Sequence, residues 1–125
     1  MSEEGLNRVR SRIKVADAMG VSVMTVSSGE GKDDEELKKL YANLTAIGDY
    51  AAERDIVLAF ETHPGATESG PRMAKTMRDL NHPNLRLNFD TANVMFYNDG
   101  ADPLEHFEMV MEWVAHVHLK DSRGR

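Results

Sequence analysis

Three short runs of the sequence hold the residues that could do chemistry: Glu61-Thr62-His63, Asn88-Phe89-Asp90-Thr91-Ala92-Asn93 and His116-Val117-His118-Leu119-Lys120. Two carboxylates and an imidazole, Glu61, Asp90 and His118, make a hard-to-borderline donor set. Such a set suits Mn²⁺, Mg²⁺ or Co²⁺, with Zn²⁺ still open. The chain has no cysteine, so disulfides, thiol catalysis and thiolate metal sites are excluded. A bland reading exists for each group. Glu61 can be a capping or surface carboxylate, Asp90 with Thr91 a simple Asx-turn, and His116 a satisfied core histidine. His63 and His116 can also orient a ligand or touch a substrate.

These groups need elements to hold them. His116-Val117-His118-Leu119-Lys120 alternates polar and apolar side chains, which places His116, His118 and Lys120 on one face of a strand over 115–121 and Val117 and Leu119 on the other. Leu85 to Asp90 alternates in the same way, with Arg86, Asn88 and Asp90 on its polar face. A strand over 56–61 ends at Glu61, and a β-branched run over 21–27 ends before Ser28-Gly29. Between the strands, apolar residues at helical spacing predict helices over 3–19, about 33–54 and 72–80. A fourth helix starts at Asp102-Pro103, with Leu104, Phe107, Val110, Met111 and Val114 facing inward, and 91–100 reads as a loop. The strand tips near Ser28, Glu61, Asp90 and His118 recur at the interval of a βα unit, which predicts a parallel sheet. An open doubly wound sheet would want both strand faces apolar. The polar faces here fit the lumen of a barrel better, and ligands of such folds bind at the C-terminal strand ends, where Glu61, Asp90 and His118 lie.

Composition narrows the partners. A formal charge of −6 argues against a nucleic-acid surface, and Arg8, Arg10, Arg12 and Lys14 read as one solvated helix face. No stretch reaches the roughly 18 consecutive apolar residues of a membrane span. The N-terminal residues have neither a basic run nor an apolar run of a secretory signal, so the expected location is the cytoplasm. The length suits one domain, 1–125.

The runs LAFETHPG (58–65), LNFDTAN (87–93) and HVHLKD (116–121), in this order and spacing, resemble the sugar phosphate isomerase/epimerase family of the xylose isomerase-like TIM barrel superfamily, with AMGVSVMTVSSG (18–29) fitting the preceding strand. The resemblance implies a (β/α)₈ fold of which this chain supplies about four βα units, similar to strands four to seven. It implies metal ligation by Glu61, Asp90 and His118, with Mn²⁺ the expected ion. It places His63, Asn93, His116, Lys120 and Arg125 around a small sugar or sugar phosphate. The implied reaction is proton abstraction beside a carbonyl through an enediolate, with Glu61 as a base. In the family, the eighth strand brings a second glutamate that is both ligand and acid/base, and no residue here is assigned to it. Two other readings stand beside isomerase or epimerase: a non-catalytic metal- or polyol-binding half barrel or piece of a larger enzyme, and a dehydratase of the same superfamily. A half barrel has two raw sheet edges, so pairing of two chains into a homodimer or higher self-association is expected.

Overall fold

The computed structural model describes residues 2–121. It opens with helix α1 (Glu3–Ala18), capped by the Ser2 hydroxyl, which accepts from Gly5 N at 3.1 Å. After Met19 the chain reverses at Gly20, whose φ of 72° is the left-handed conformation that glycine adopts without cost. Strand β1 (Val23–Val26) follows, then α2 (Asp34–Ala52), whose cap Asp33 accepts from Glu36 N at 2.8 Å. Next come β2 (Val57–Glu61), α3 (Gly70–Leu80), β3 (Leu85–Asp90), α4 (Thr91–Tyr97) and α5 (Pro103–Glu108). A 3₁₀ turn (Met111–Trp113) leads into β4 (Val114–His118).

All four strands are parallel, in the order β1-β2-β3-β4, and the sheet curls into half of a barrel with helices outside it. The core lies between sheet and helices. Leu58, Phe60, Leu85, Leu87 and Phe89 project outward from the central strands and are buried against Leu44, Ile47, Met73 and Met77. Phe89 also meets Phe107 of α5 edge to face, with ring centroids 5.3 Å apart. Gly48 of α2 sits so close to β3 that an added Cβ would lie 3.1 Å from a Leu85 methyl and 3.0 Å from the His82 ring. That glycine sets how near the helix layer approaches the sheet.

Element ends shift by a few residues, most at the strand expected over 115–121, which is β4 (Val114–His118), and the chain departs further at three places. First, 91–97 is helical rather than a loop, because Asp90 caps it. Second, α5 is short and Leu104 and Met111, expected inward, are 61% and 60% exposed. Third, the pairing of β3 with β4 shifts register between Leu87 and Asn88: Leu87 faces Val114, but Asn88 faces His116, so Ala115 is an extra residue in the ladder. This bulge lets Val114 pack toward the core while His116, two residues on, joins Asn88 on the lumen face. In an unbroken strand the two would share a face.

Candidate metal centre

At the C-terminal end of the sheet, Glu61 on β2, Asp90 on β3 and His118 on β4 converge, and one ligand atom from each lies within 4.8 Å of the others. The register does this directly: Asn88 links Glu61 to His116 one pleat below, and Asp90 pairs with His118. The three side chains differ in how firmly they are held. Asp90 is wholly buried, whereas the Glu61 and His118 side chains are 33% and 46% exposed, opening toward the lumen.

Asp90 divides its two oxygens between structure and site. Oδ1 accepts from Ala92 N at 3.1 Å and Asn93 N at 2.9 Å, capping α4. The Asp90 backbone N–H donates to Thr62 Oγ1 at 3.0 Å. Oδ2 is buried and finds no aligned hydrogen-bond donor among the described residues. Around it stand cationic or basic nitrogens: Lys120 Nζ at 2.6 Å and His118 Nδ1 at 3.3 Å, with His118 Nδ1 also 3.8 Å from Glu61 Oε1. The close contact with Asp90 holds the Lys120 ammonium above its ordinary pKa; partial desolvation opposes this, and the charge of Glu61 adds to it. A buried carboxylate oxygen lacking an aligned donor, facing a second carboxylate and an imidazole, is a set of O, O and N donors that fits a divalent cation. Lys120 supplies the positive charge there instead.

Behind this front lies a polar belt that the sequence reading passed over. Thr62 is fully buried, and its carbonyl accepts from Asn93 Nδ2 at 3.0 Å while its hydroxyl supports Asp90. Thr67 Oγ1 donates to the Glu61 carbonyl at 2.7 Å and lies 3.1 Å from Ser28 Oγ. Thr91 Oγ1 donates to the Lys120 carbonyl at 2.6 Å and accepts from Lys120 N at 3.0 Å, tying the chain after β4 to the start of α4. The signal for Thr62 and Thr91 was their position directly after Glu61 and Asp90; Thr67 had none. Thr62 and Thr67 are buried, and a buried hydroxyl needs a partner.

The remaining sequence-predicted groups are spread around the centre. His116 Nδ1 pairs with Asn88 Oδ1 at 2.8 Å on the lumen face, below His118. Asn93 is held by Thr62 as described. His63 is exposed beyond Glu61 and meets the Tyr97 ring, with centroids 6.0 Å apart, so it forms a rim with α4 rather than joining the three ligands. Arg125 lies outside the described residues.

A half-barrel of parallel βα units with acidic and histidine side chains at its strand tips defines a TIM-barrel class, and the comparison with known proteins gives the family. The family model for the xylose isomerase-like TIM barrel matches residues 1–125, and the chain belongs to that family. It is similar to an inosose dehydratase of Clostridium perfringens, 30% identical over 127 aligned positions that cover 96% of this chain and 42% of the relative. Among solved structures, a xylose isomerase-like TIM barrel protein from Mycobacterium smegmatis in complex with magnesium superposes with a TM-score of 0.83 at 17% identity, over 95% of this chain and 45% of that one. A D-allulose 3-epimerase from Methylomonas sp., in complex with D-allulose, gives 0.80 at 20% identity, over 94% and 44%. The chain spans about two fifths of the length of the curated relatives it matches. No helix among the described residues is long and apolar enough to cross a membrane.

Proposed function

We propose that this half-barrel supplies the ligand-and-base side of a site that removes a proton beside the carbonyl of a polyhydroxylated ketone and expels water from the neighbouring carbon. The observation that carries the reading is the buried Oδ2 of Asp90, turned toward Glu61 and His118 at the strand ends. Glu61, Asp90 and His118 would hold a divalent cation, Mn²⁺ or Mg²⁺ by donor type, which supplies Lewis-acid polarisation of the substrate's carbonyl and adjacent hydroxyl. Glu61, the more open carboxylate, takes the proton from carbon. Asp90 is committed through Oδ1 to α4 and acts as the fixed anchor. As the carbon–oxygen bond breaks, the departing hydroxyl needs a proton. Lys120 stands beside both carboxylates and provides one, leaving water and an unsaturated ketone. His63, Asn93 and His116 would contact the substrate's other hydroxyls.

Dehydration is preferred to epimerisation because curated relatives that match by sequence are dehydratases, of inosose and of 3-dehydroshikimate, while the epimerase structures match at about 20% identity, in fold. A base and an acid side by side are also what loss of water requires. The test is to load the protein with Mn²⁺ or Mg²⁺, confirm binding by calorimetry, and incubate it with an inosose-like cyclic ketone in D₂O. The expected result by NMR is a 1,2-dione with solvent deuterium at the new methylene, formed as the hydroxy-enone first produced ketonises, with Glu61→Gln abolishing both product and solvent exchange at carbon. An epimer in place of the dione would assign the sister reaction. Metal binding with no exchange at all would reduce the chain to a polyol- or metal-binding half-barrel.

A further inference from the structure

Of the strand tips near Ser28, Glu61, Asp90 and His118, the candidate metal centre uses the last three. Ser28 follows β1 and is wholly buried. A buried hydroxyl needs a partner, and here the partner leads to Glu61. Ser28 Oγ lies 3.1 Å from Thr67 Oγ1, the shorter of two contacts, the other being the Gly29 carbonyl at 3.3 Å. Thr67 is also wholly buried, and it gives its one hydroxyl proton to the Glu61 carbonyl at 2.7 Å. Toward Ser28 it can therefore only accept, so donation runs from Ser28 through Thr67 to the backbone of Glu61.

The strand ladder explains why a side chain is needed there. The peptide unit between Glu61 and Thr62 sends its N–H to the Asn88 carbonyl of β3 at 3.3 Å. In a trans peptide the carbonyl points the opposite way, so that of Glu61 faces the side of β1. β1 and β2 pair with Val26 opposite Phe60, and that ladder carried one step further would bring the Ser28 backbone N–H to this carbonyl. β1 ends at Val26 instead. The Thr67 hydroxyl stands in for the missing strand donor. The loop over 62–69, which carries Thr67, is itself held from two sides. Thr76 Oγ1 on α3 donates to the Ala66 carbonyl at 2.8 Å, and Gly65, with a φ of 104°, approaches the loop after β1 so closely that an added Cβ would lie 3.1 Å from the Gly29 carbonyl.

We infer that Thr67, oriented by Ser28, is a positioning residue: it fixes the Glu61 peptide unit where β1 has ended and so aims the Glu61 carboxylate toward Asp90 and His118. This rests on the proposed role of Glu61 as ligand and base. Asp90 is fixed through its own carboxylate, which caps α4. The Glu61 side chain is partly exposed and makes no hydrogen bond among the described residues; its direction is set by the backbone beneath it. A firm backbone under an open carboxylate suits a group that must both hold a cation and move a proton.

Amide hydrogen exchange in the metal-free chain reads the anchoring. Thr67→Val nearly keeps the side chain's shape but leaves the Glu61 carbonyl without its donor. The Thr62 N–H, on the same peptide unit, should then exchange about tenfold faster relative to the Phe60 N–H farther back on the strand. Thr67→Ser keeps the hydroxyl and should hold that ratio within about threefold of the parent chain. Thr76→Val serves as the control: it removes a buried hydroxyl that holds the same loop without touching Glu61, and should lower the melting temperature while sparing the Thr62 ratio. With Mn²⁺, calorimetry should show an affinity about tenfold weaker in Thr67→Val and recovered in Thr67→Ser. Equal acceleration at Thr62 and Phe60, the same Thr62 response in Thr76→Val, or no recovery in Thr67→Ser would each overturn the inference, as would parent-like Mn²⁺ affinity in Thr67→Val. Exchange needs no metal, so it decides the anchoring on its own; a parent chain that binds no Mn²⁺ would overturn the metal reading instead.

Discussion

Strands β2 and β3 bring carboxylates to the candidate metal centre from inside the molecule, while β4 and the residues just past it bring His118 and Lys120 from the edge. Leu58, Ala59, Phe60, Leu87, Asn88 and Asp90 are all buried, whereas every residue from Ala115 to Asp121 is exposed. The two carboxylates therefore come from strands fixed by packing on their outer face. The nitrogen donors come from a strand that, among the described residues, is paired on one side and has no element over its outer face. Precision in a site depends on the shell behind it. Here that shell is complete behind Asp90 and open behind His118.

The sharpest break of this contrast is in stability. Leu87→Ala, which empties a fully buried site on β3, should cost about 2–5 kcal/mol. Leu119→Ser, one residue past β4, should change the unfolding free energy by less than about 0.5 kcal/mol. Urea titrations showing equal losses would mean that the edge is as well packed as the centre.

Within the centre, Asp90→Asn keeps an oxygen to cap α4 but loses the anionic ligand. It should leave the helix signal intact while Mn²⁺ affinity falls by about a hundredfold or more, read by calorimetry. Unchanged affinity would remove Asp90 from the ligand set. His118→Ala should lower affinity by roughly 10–100-fold without a change in melting temperature, since the side chain is half exposed and supports no core contact. A drop in stability there would mean that the edge strand is more tightly integrated than its exposure indicates.

The smallest effect concerns Lys120 in the metal-free protein. Its pKa is raised by Asp90, so the folded state holds this proton more tightly than the unfolded chain does. The stabilisation is complete below the unfolded lysine value of about 10.4 and is lost as pH rises through the higher folded value. Denaturation midpoints in chelator should therefore decline above that pH, and Lys120→Met should flatten the part of the decline owed to this pair. An identical alkaline slope in both proteins would mean that Lys120 and Asp90 do not titrate as a pair.

Much of this was legible in the sequence for a simple reason. Alternation of side chains in Leu85 to Asp90 and helical spacing in α1 to α3 are imposed by burial on one face, and burial leaves its period in the residues. The strand-end placement of Glu61, Asp90 and His118 follows from the same periodicity. Three features left no such trace. The bulge at Ala115 is a register event between two strands, invisible in either one alone. Helix α4 depends on one carboxylate oxygen of Asp90, and a short Asp-Thr-Ala-Asn stretch reads equally as a turn. Of the inward stripe expected over 102–114, Phe107, Val110 and Val114 do meet the core, while Leu104 and Met111 are apolar toward a side on which no described element lies. The sequence shows which residues want burial but cannot say what buries them.

Lys120 has a consequence for ion selection. A cation approaching Asp90 meets an ammonium already there, tethered two residues beyond His118 and fastened through its backbone to Thr91. In the terms of competition, it is an inhibitor carried on the same chain, present at a fixed effective concentration that neither dilution nor dialysis removes. An ion of single charge gains little by replacing another single charge. Entry is therefore biased toward ions whose charge exceeds that of the occupant, before any ligand geometry is consulted.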